Sequence, residues 1–428
     1  MNKVQKNNYY INKKLQNYTF DIADSLQYEA NSYMYHFGDH FKIHKSNFFI
    51  KKMKSFFFII KKSIFFLKRL FKINHFDSKK KFILCNAYFD ITNNLKSTLN
   101  VIGVPWENNK NNIYIFENEL NFLINEIQEI LQQRSLNKIF DQTFITLISK
   151  YKILFKNYLI KNKIKGLIFS IDLTFFESIS LSCAKELEIP TFLFLHGLPA
   201  RYNSIDDNRS DYLIVWGNAI KNNYITNGVS SNKIFVSGHP IYSSIKPKAL
   251  KSSLENVLVL TKAMCGTPHS DMVRLMDRSN SLYYLDLIMD LLLSLGVKNA
   301  RLRCHPAEDS NFYKKHLTND FYKIDKQPLN ESIKNSSLLI GPSSTMILDA
   351  INFGVNYILF EPLINGKTLT NFDLVPPFDG KHFISKTNSI ESLNYNLNPD
   401  NNIDWNLVNE YISTDFSLNF LYSILNSK

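Results

Sequence analysis

The sequence predicts an α/β protein of two Rossmann-like halves facing each other across a cleft, with a helical, basic N-terminal extension. Three observations predict it. At 428 residues, 45% hydrophobic and 21% charged, the chain is too long for one ordinary core and apolar enough for two. Short β-branched and aromatic runs alternate with helix-like stretches over 166–238, the cadence of a parallel sheet with helices on its faces. That cadence restarts over 256–361, after a stretch rich in Pro, Ser and Lys. The expected division is an extension (1–78), a first half (79–240), a linker (241–254), a second half (255–400) and a C-terminal helix (401–428) packing back on the first half.

The extension contains the most unusual stretch, residues 42–76. At helical spacing Phe49, Met53, Phe56, Ile60, Ile64, Leu67 and Phe71 form an apolar stripe, with Lys51, Lys54, Lys61, Lys68 and Lys72 largely on another face. Such a helix suits an anionic inner-leaflet membrane surface, where rings enter the headgroup boundary and lysines meet lipid. It equally suits packing on the first half, with the lysines snorkelling to water.

In the first half, 81–89 reads as a buried strand and 113–160 as mostly helical. Strands at 166–172, 191–197, 211–217 and 233–238 then flank helices at 175–189 and 219–228. In the second half, strands at 256–262, 299–305, 321–325, 336–340 and 356–361 alternate with helices at 281–296 and 343–354. No short tandem repeat is visible, which disfavours a solenoid.

The net charge of +12 fits phosphorylated substrates, an anionic membrane or nucleic acid. The basic residues are concentrated with Phe in 42–76 and no nucleic-acid motif is present, so no nucleic-acid partner is expected. Cys85, Cys183, Cys265 and Cys304 form no CxxC pair, which excludes a disulfide framework and a zinc site. The N-terminus lacks the apolar core of a secretory signal, and no run approaches the ~20 apolar residues of a membrane span. A cytoplasmic protein, peripheral on the inner membrane, is expected. GxxxxGK[ST], GxGxxG after the first strand, HExxH, GxSxG and a convincing DxD are all absent, so ATPase, dehydrogenase, zinc-protease and α/β-hydrolase readings lose support.

In open parallel sheets ligands collect beyond the carboxyl ends of strands. The residues at those ends are Asp172, His196–Gly197, Gly217, Gly238–His239–Pro240, Thr261–Lys262, His305–Pro306, Gly341–Pro342–Ser343–Ser344–Thr345 and Glu361. In IGPSSTMILDAINFG a strand runs into Gly-Pro, and Ser-Ser-Thr opens a helix whose backbone N–H groups and hydroxyls suit a phosphate. His305, stiffened by Pro306, suits a phosphate or a leaving group that needs a proton. His196 repeats the argument in the first half. Asp172 is either a base or the group that orients His196. His239–Pro240 reads as structural, or as cleft-lining at best.

With these residues in view, FLHGLPARYN and SDYLIVWGNAIKNNYITNGVSSNKIFVSGHP are similar to the first-domain signature of bacterial capsule and surface-polysaccharide transferases of the GT-B fold. LRCHPAE and NSSLLIGPSSTMILDAINFGVNYILFEP are similar to the second-domain motifs of that group. The pairing of "HP" with "S-S/T" resembles the transferases that use cytidine-activated donors: sialyl- and Kdo-transferase types and the CDP-glycerol glycerophosphotransferases. The likeness covers roughly 165–365, and the acidic D/E-D/E-G loop of several sialyltransferase families is not found.

The resemblance implies transfer of a sugar from a nucleotide-activated donor, CMP-linked, to a surface glycan or lipid-linked acceptor by an inverting displacement that needs no cofactor and no metal. It implies that His305 and Ser343–Ser344–Thr345 grip the donor phosphate, that Glu361 binds the ribose, and that Thr261, Lys262, Pro306 and Gly341 complete the donor side. Asp172 or His196 would be the general base. The alternatives are a CDP-glycerol-type phosphotransferase, a UDP-sugar epimerase or transferase, and a non-catalytic membrane-docked scaffold.

Overall fold

A computed structural model describes residues 10–35, 77, 79–87, 91–107, 115, 117–261, 278–306, 308, 310–317, 320–364, 367–368, 374–398 and 403–427. Phe49, Lys54, Phe56, Ile60, Lys61, Leu67, Lys68 and Phe71 of the basic stripe, and Lys262, lie outside the described residues.

Two six-stranded sheets, parallel throughout, organise the chain. The first contains β1 (Phe82–Asn86), β2 (Asn100–Gly103), β3 (Ile164–Phe169), β4 (Thr191–Phe194), β5 (Tyr212–Val215) and β6 (Ile234–Val236), in the order β2-β1-β3-β4-β5-β6. The second contains β7 (Val257–Leu260), β8 (Ala300–Arg303), β9 (Tyr322–Ile324), β10 (Leu338–Gly341) and β11 (Tyr357–Phe360). A small antiparallel pair, β12 (Leu363–Ile364) and β13 (Lys367–Thr368), precedes its edge strand β14 (Ser385–Thr387), and the order is β14-β11-β10-β7-β8-β9.

Strands buried on both faces need runs without polar alternation. Leu338–Gly341, Tyr357–Phe360 and Val257–Leu260 meet that need and are buried at every position. Helices cover both faces. The helix Gln142–Lys161 has Asp141 capping Thr143 N–H at 2.9 Å, and it buries Phe144, Ile148, Tyr151 and Phe155. The order of each sheet reverses once, between β1 and β3 in the first and between β7 and β10 in the second. Those reversals open the crevices where ligands of such sheets sit.

The strands and helices expected from the sequence are present, with ends shortened or shifted by up to a few residues. The phosphate-suited helix begins at Met346 and spans only Met346–Asn352, not 343–354. β2, β14 and the helices Thr92–Lys96, Ser310–His316, Leu329–Lys334 and Ile390–Leu397 were not expected, while the helix Phe20–Tyr35 lies in the extension expected to be helical. The C-terminal segment forms two helices, Trp405–Tyr411 and Asn419–Ser427, not one. Between them the backbone bonds to the ends of β5 and β6. Ser413 N–H reaches Trp216 O and Ser417 N–H reaches Ser237 O, both at 2.8 Å, so neither N–H serves a helix.

Candidate functional site

The loop after β10 and the loop after β4 touch. Thr345 Oγ1 accepts the Leu198 N–H at 2.9 Å, a contact spanning 147 residues of sequence. A Cβ on Gly197 would stand 2.9 Å from the same Thr345 Oγ1, so glycine permits the approach. The expected donor loop and the expected acceptor loop therefore meet in one seam. A hydroxyl that accepts keeps its proton to donate, so Thr345 retains a donor. Ser344 Oγ accepts Met346 N–H at 3.2 Å and closes the first turn of the short helix. Ser343 is buried beside it. Gly341 is sterically required: a Cβ there would lie 2.6 Å from the Tyr357 hydroxyl, which donates to Pro342 O at 2.5 Å.

The second loop of this half is braced from within. Thr261 Oγ1, at the end of β7, accepts His305 N–H at 2.9 Å and donates to the Glu308 carboxylate. Glu308 also accepts from His305 N–H at 3.1 Å and from the Tyr313 hydroxyl at 2.8 Å. Burial raises the Glu308 carboxyl above its ordinary value, and the bonds from Thr261, Tyr313 and His305 oppose the rise. Thr261, expected to contact the donor, thus has its hydroxyl turned into the protein. His305 and Pro306 are exposed at the loop. Glu361 is buried, and its backbone N–H bonds Thr387 O at 3.0 Å, tying the end of β11 to β14.

On the first sheet, Ser170 N–H bonds Asn86 O at 3.0 Å across the β1/β3 reversal. Ser170 O in turn lies 2.9 Å from His196 Nδ1. A carbonyl only accepts, so Nδ1 carries the proton in the neutral ring and the lone pair lies on Nε2. The residue reaches solvent at the surface, yet the ring is crowded enough that desolvation draws its pKa below the ordinary histidine value, opposed by the Ser170 bond. Asp172 is buried. Its Oδ2 accepts from Ser210 Oγ at 2.7 Å and its backbone carbonyl from Arg209 Nη1 at 2.7 Å. It is not bonded to His196 in the network that holds it.

Arg209, which also pairs with Asp24, and Glu177 were missed from the sequence. Glu177 is buried under bonds from Trp106 Nε1 at 2.9 Å and Asn86 Nδ2 at 3.0 Å, and from Thr174. It joins the ends of β1 and β2 to the helix Phe175–Glu186. Nothing local announces it, since Asn86 is 91 residues away.

Burial pushes the Asp172 carboxyl up from 3.8 to about 6 and the Glu29 carboxyl to about 7. A raised carboxyl pKa means that the folded chain holds the proton more tightly than the unfolded one. This contribution is complete below about pH 4 and lost as pH rises through about 6–7. Asp172→Asn is therefore expected to match the wild type in stability near pH 4 and to exceed it by about 3 kcal/mol at pH 8. Thermal melts across that range check it; equal melting temperatures at pH 8 would count against the buried charge.

Gly217, Gly238 and His239 serve packing. A Cβ on Gly217 would lie 2.3 Å from Glu410 O, and one on Gly238, at φ +72°, 2.2 Å from Asp415 O. His239 is fully buried, stacked on Tyr242 at 4.2 Å and edge-on to Trp216 at 4.5 Å. Its Nδ1 accepts N–H bonds from Ile241 and Tyr242, and burial lowers its pKa to about 3, so it stays neutral. Tyr242 donates to Asp349 Oδ1 at 3.1 Å, joining the linker to the second half.

Among the described residues no group of three or more His, Cys, Asp or Glu side chains could hold a metal ion. No described helix is long and apolar enough to cross a membrane.

The fold has relatives among solved structures. A UDP-GlcNAc 2-epimerase from Methanocaldococcus jannaschii, solved with UDP-GlcNAc and UDP, matches 81% of this chain and all of its own, at 16% identity and a TM-score of 0.50. The Neisseria meningitidis UDP-GlcNAc 2-epimerase bound to UDP-GlcNAc matches 81% of this chain and all of its own, at 13% identity and a TM-score of 0.48. The lipopolysaccharide outer core galactosyltransferase WaaB matches 82% of this chain and all of its own, at 13% identity and a TM-score of 0.44. No family profile and no curated protein sequence matches the chain. The chain thus has the GT-B-like fold, two α/β halves each on a six-stranded parallel sheet.

Proposed function

We propose that this chain is a glycosyltransferase that moves a sugar from a nucleotide-activated donor, CMP-linked, to a surface-glycan or lipid-linked acceptor. The observation that carries this reading is the seam itself. Loops from the carboxyl ends of both sheets meet at Leu198 N–H and Thr345 Oγ1, 2.9 Å apart, with His196 on one side and Ser343–Thr345 on the other. That geometry suits a donor held by one half and an acceptor by the other.

In the proposed displacement the acceptor hydroxyl oxygen attacks the anomeric carbon and the bond from that carbon to the nucleotide phosphate oxygen breaks, with inversion. His196 takes the acceptor proton at Nε2, a role its Nδ1–Ser170 bond and its lowered pKa favour over the buried Asp172. His305 and the hydroxyls of Ser343–Thr345 offset the charge on the leaving nucleotide, and the reaction is proposed to need no metal.

Thermal-shift measurements with CMP, CDP, UDP and GDP test the donor. Saturating nucleotide at about a hundred times Kd is expected to stabilise by about 2.7 kcal/mol. Selective stabilisation by CMP supports the reading, CDP would replace it with a polyol-phosphate donor, and UDP or GDP would discard the cytidine donor. No response to any of the four would defeat the nucleotide-sugar reading.

A further inference from the structure

We propose that Glu308 is a positioning residue of the donor site, holding the His305 loop in the one arrangement that can meet a donor phosphate. The proposal rests on the nucleotide-sugar reading above. Three groups from three elements converge on this carboxylate, and a fourth bond closes the turn beside it. Thr261 Oγ1 comes from the end of β7, His305 N–H from the end of β8, and the Tyr313 hydroxyl from the helix Ser310–His316. The fourth contact is Glu308 N–H back to His305 O at 2.8 Å, which closes the turn.

One Glu308 oxygen takes both the Thr261 hydroxyl and His305 N–H, while the other takes Tyr313. Since Thr261 Oγ1 also accepts His305 N–H at 2.9 Å, that amide is shared between two acceptors and is doubly restrained. An ionised carboxylate is the acceptor-only group this arrangement needs. An amide in its place would turn an NH2 toward at least one donor.

A carboxylate beside a phosphate site would repel the ligand if it faced it. Here every named bond draws Glu308 inward, so it acts on the donor only through the His305 loop. The second sheet reverses between β7 and β10, and Thr261 lies at that reversal, so the brace is anchored at the crevice where a ligand is expected.

Two readouts on the full-length chain test this. The first is affinity for whichever of CMP, CDP, UDP and GDP the wild type binds, in Glu308→Gln, His305→Ala and the double variant. Glu308→Gln is expected to weaken binding about tenfold, in line with a lost charge-assisted bond, and the double variant to bind within about twofold of His305→Ala. Additive losses, or wild-type affinity in Glu308→Gln, would overturn the proposal.

The second readout uses no ligand. With 13C-labelled imidazoles, Glu308→Gln is expected to move or broaden the His305 resonance, identified by its loss in His305→Ala, while the other nine of the ten histidines stay put. An unmoved His305 signal overturns the proposal. Should Glu308→Gln fail to fold, Tyr313→Phe removes one donor to the same carboxylate and must move the same resonance. A moved signal with no nucleotide bound by the wild type would keep the brace but defeat its donor role, which separates this proposal's failure from that of the reading beneath it.

Discussion

Trp216→Ala is expected to destabilise the fold by about 3–5 kcal/mol, a large part of the ~5–15 kcal/mol that holds a typical protein folded. The indole is fully buried at the end of β5 and donates from Nε1 to Leu195 O at 3.0 Å. Its ring meets His239 edge-on at 4.5 Å, and its backbone carbonyl receives Ser413 N–H from the C-terminal segment. Alanine would open a cavity and strip one bond from Leu195 O at the loop that leads to His196. It would also remove the ring that packs edge-on against His239. Trp216→Phe keeps most of the packing and loses only the N–H, so a cost nearer 1–2 kcal/mol is expected. Urea unfolding followed by far-ultraviolet circular dichroism reads both. An alanine variant within 1 kcal/mol of wild type would mean that the fold does not depend on this ring.

His196→Ala is expected to lower turnover by 10²–10⁴-fold while leaving nucleotide affinity within about twofold, because the proposed reaction uses the residue on the acceptor hydroxyl and not on the nucleotide. The Ser170 carbonyl fixes its tautomer, and desolvation lowers its pKa. The acid limb of the pH–rate profile should therefore fall below the ordinary histidine value, not above it. The assay uses the nucleotide sugar chosen by the binding screen. If His196→Ala keeps turnover and Asp172→Asn abolishes it, the base is Asp172 and the proton leaves by the Ser210 side.

The two-half architecture was legible because hydrophobic runs and their breaks are local. Val257–Leu260, Leu338–Gly341 and Tyr357–Phe360 are apolar throughout, and such runs in series with helices have few other ways to be buried. β14, with Ser385, Lys386 and Thr387, carries no such signal and exists because β11 offers it an edge. The strand-end rule also singled out His196, His305 and Ser343–Thr345 from sequence, since a loop leaving a parallel strand must emerge at that pole.

The rule could not say what each strand-end residue does there. Gly217 and Gly238 make room for a C-terminal backbone that arrives nearly two hundred residues later, as Glu410 and Asp415. Thr261 is turned inward by Glu308, and Thr345 is claimed by Leu198 from the other half.

The sequence by itself determined two successive parallel sheets and the residues that stand where their strands end, because periodicity is set by neighbours within a few residues. The tertiary structure decided which hydroxyls, carboxylates and glycines at that pole serve packing and which face the seam. A hydrogen bond is satisfied by whatever the fold brings within about 3 Å, whether the partner is two residues away, as for Ser344 and Met346, or 147, as for Leu198 and Thr345.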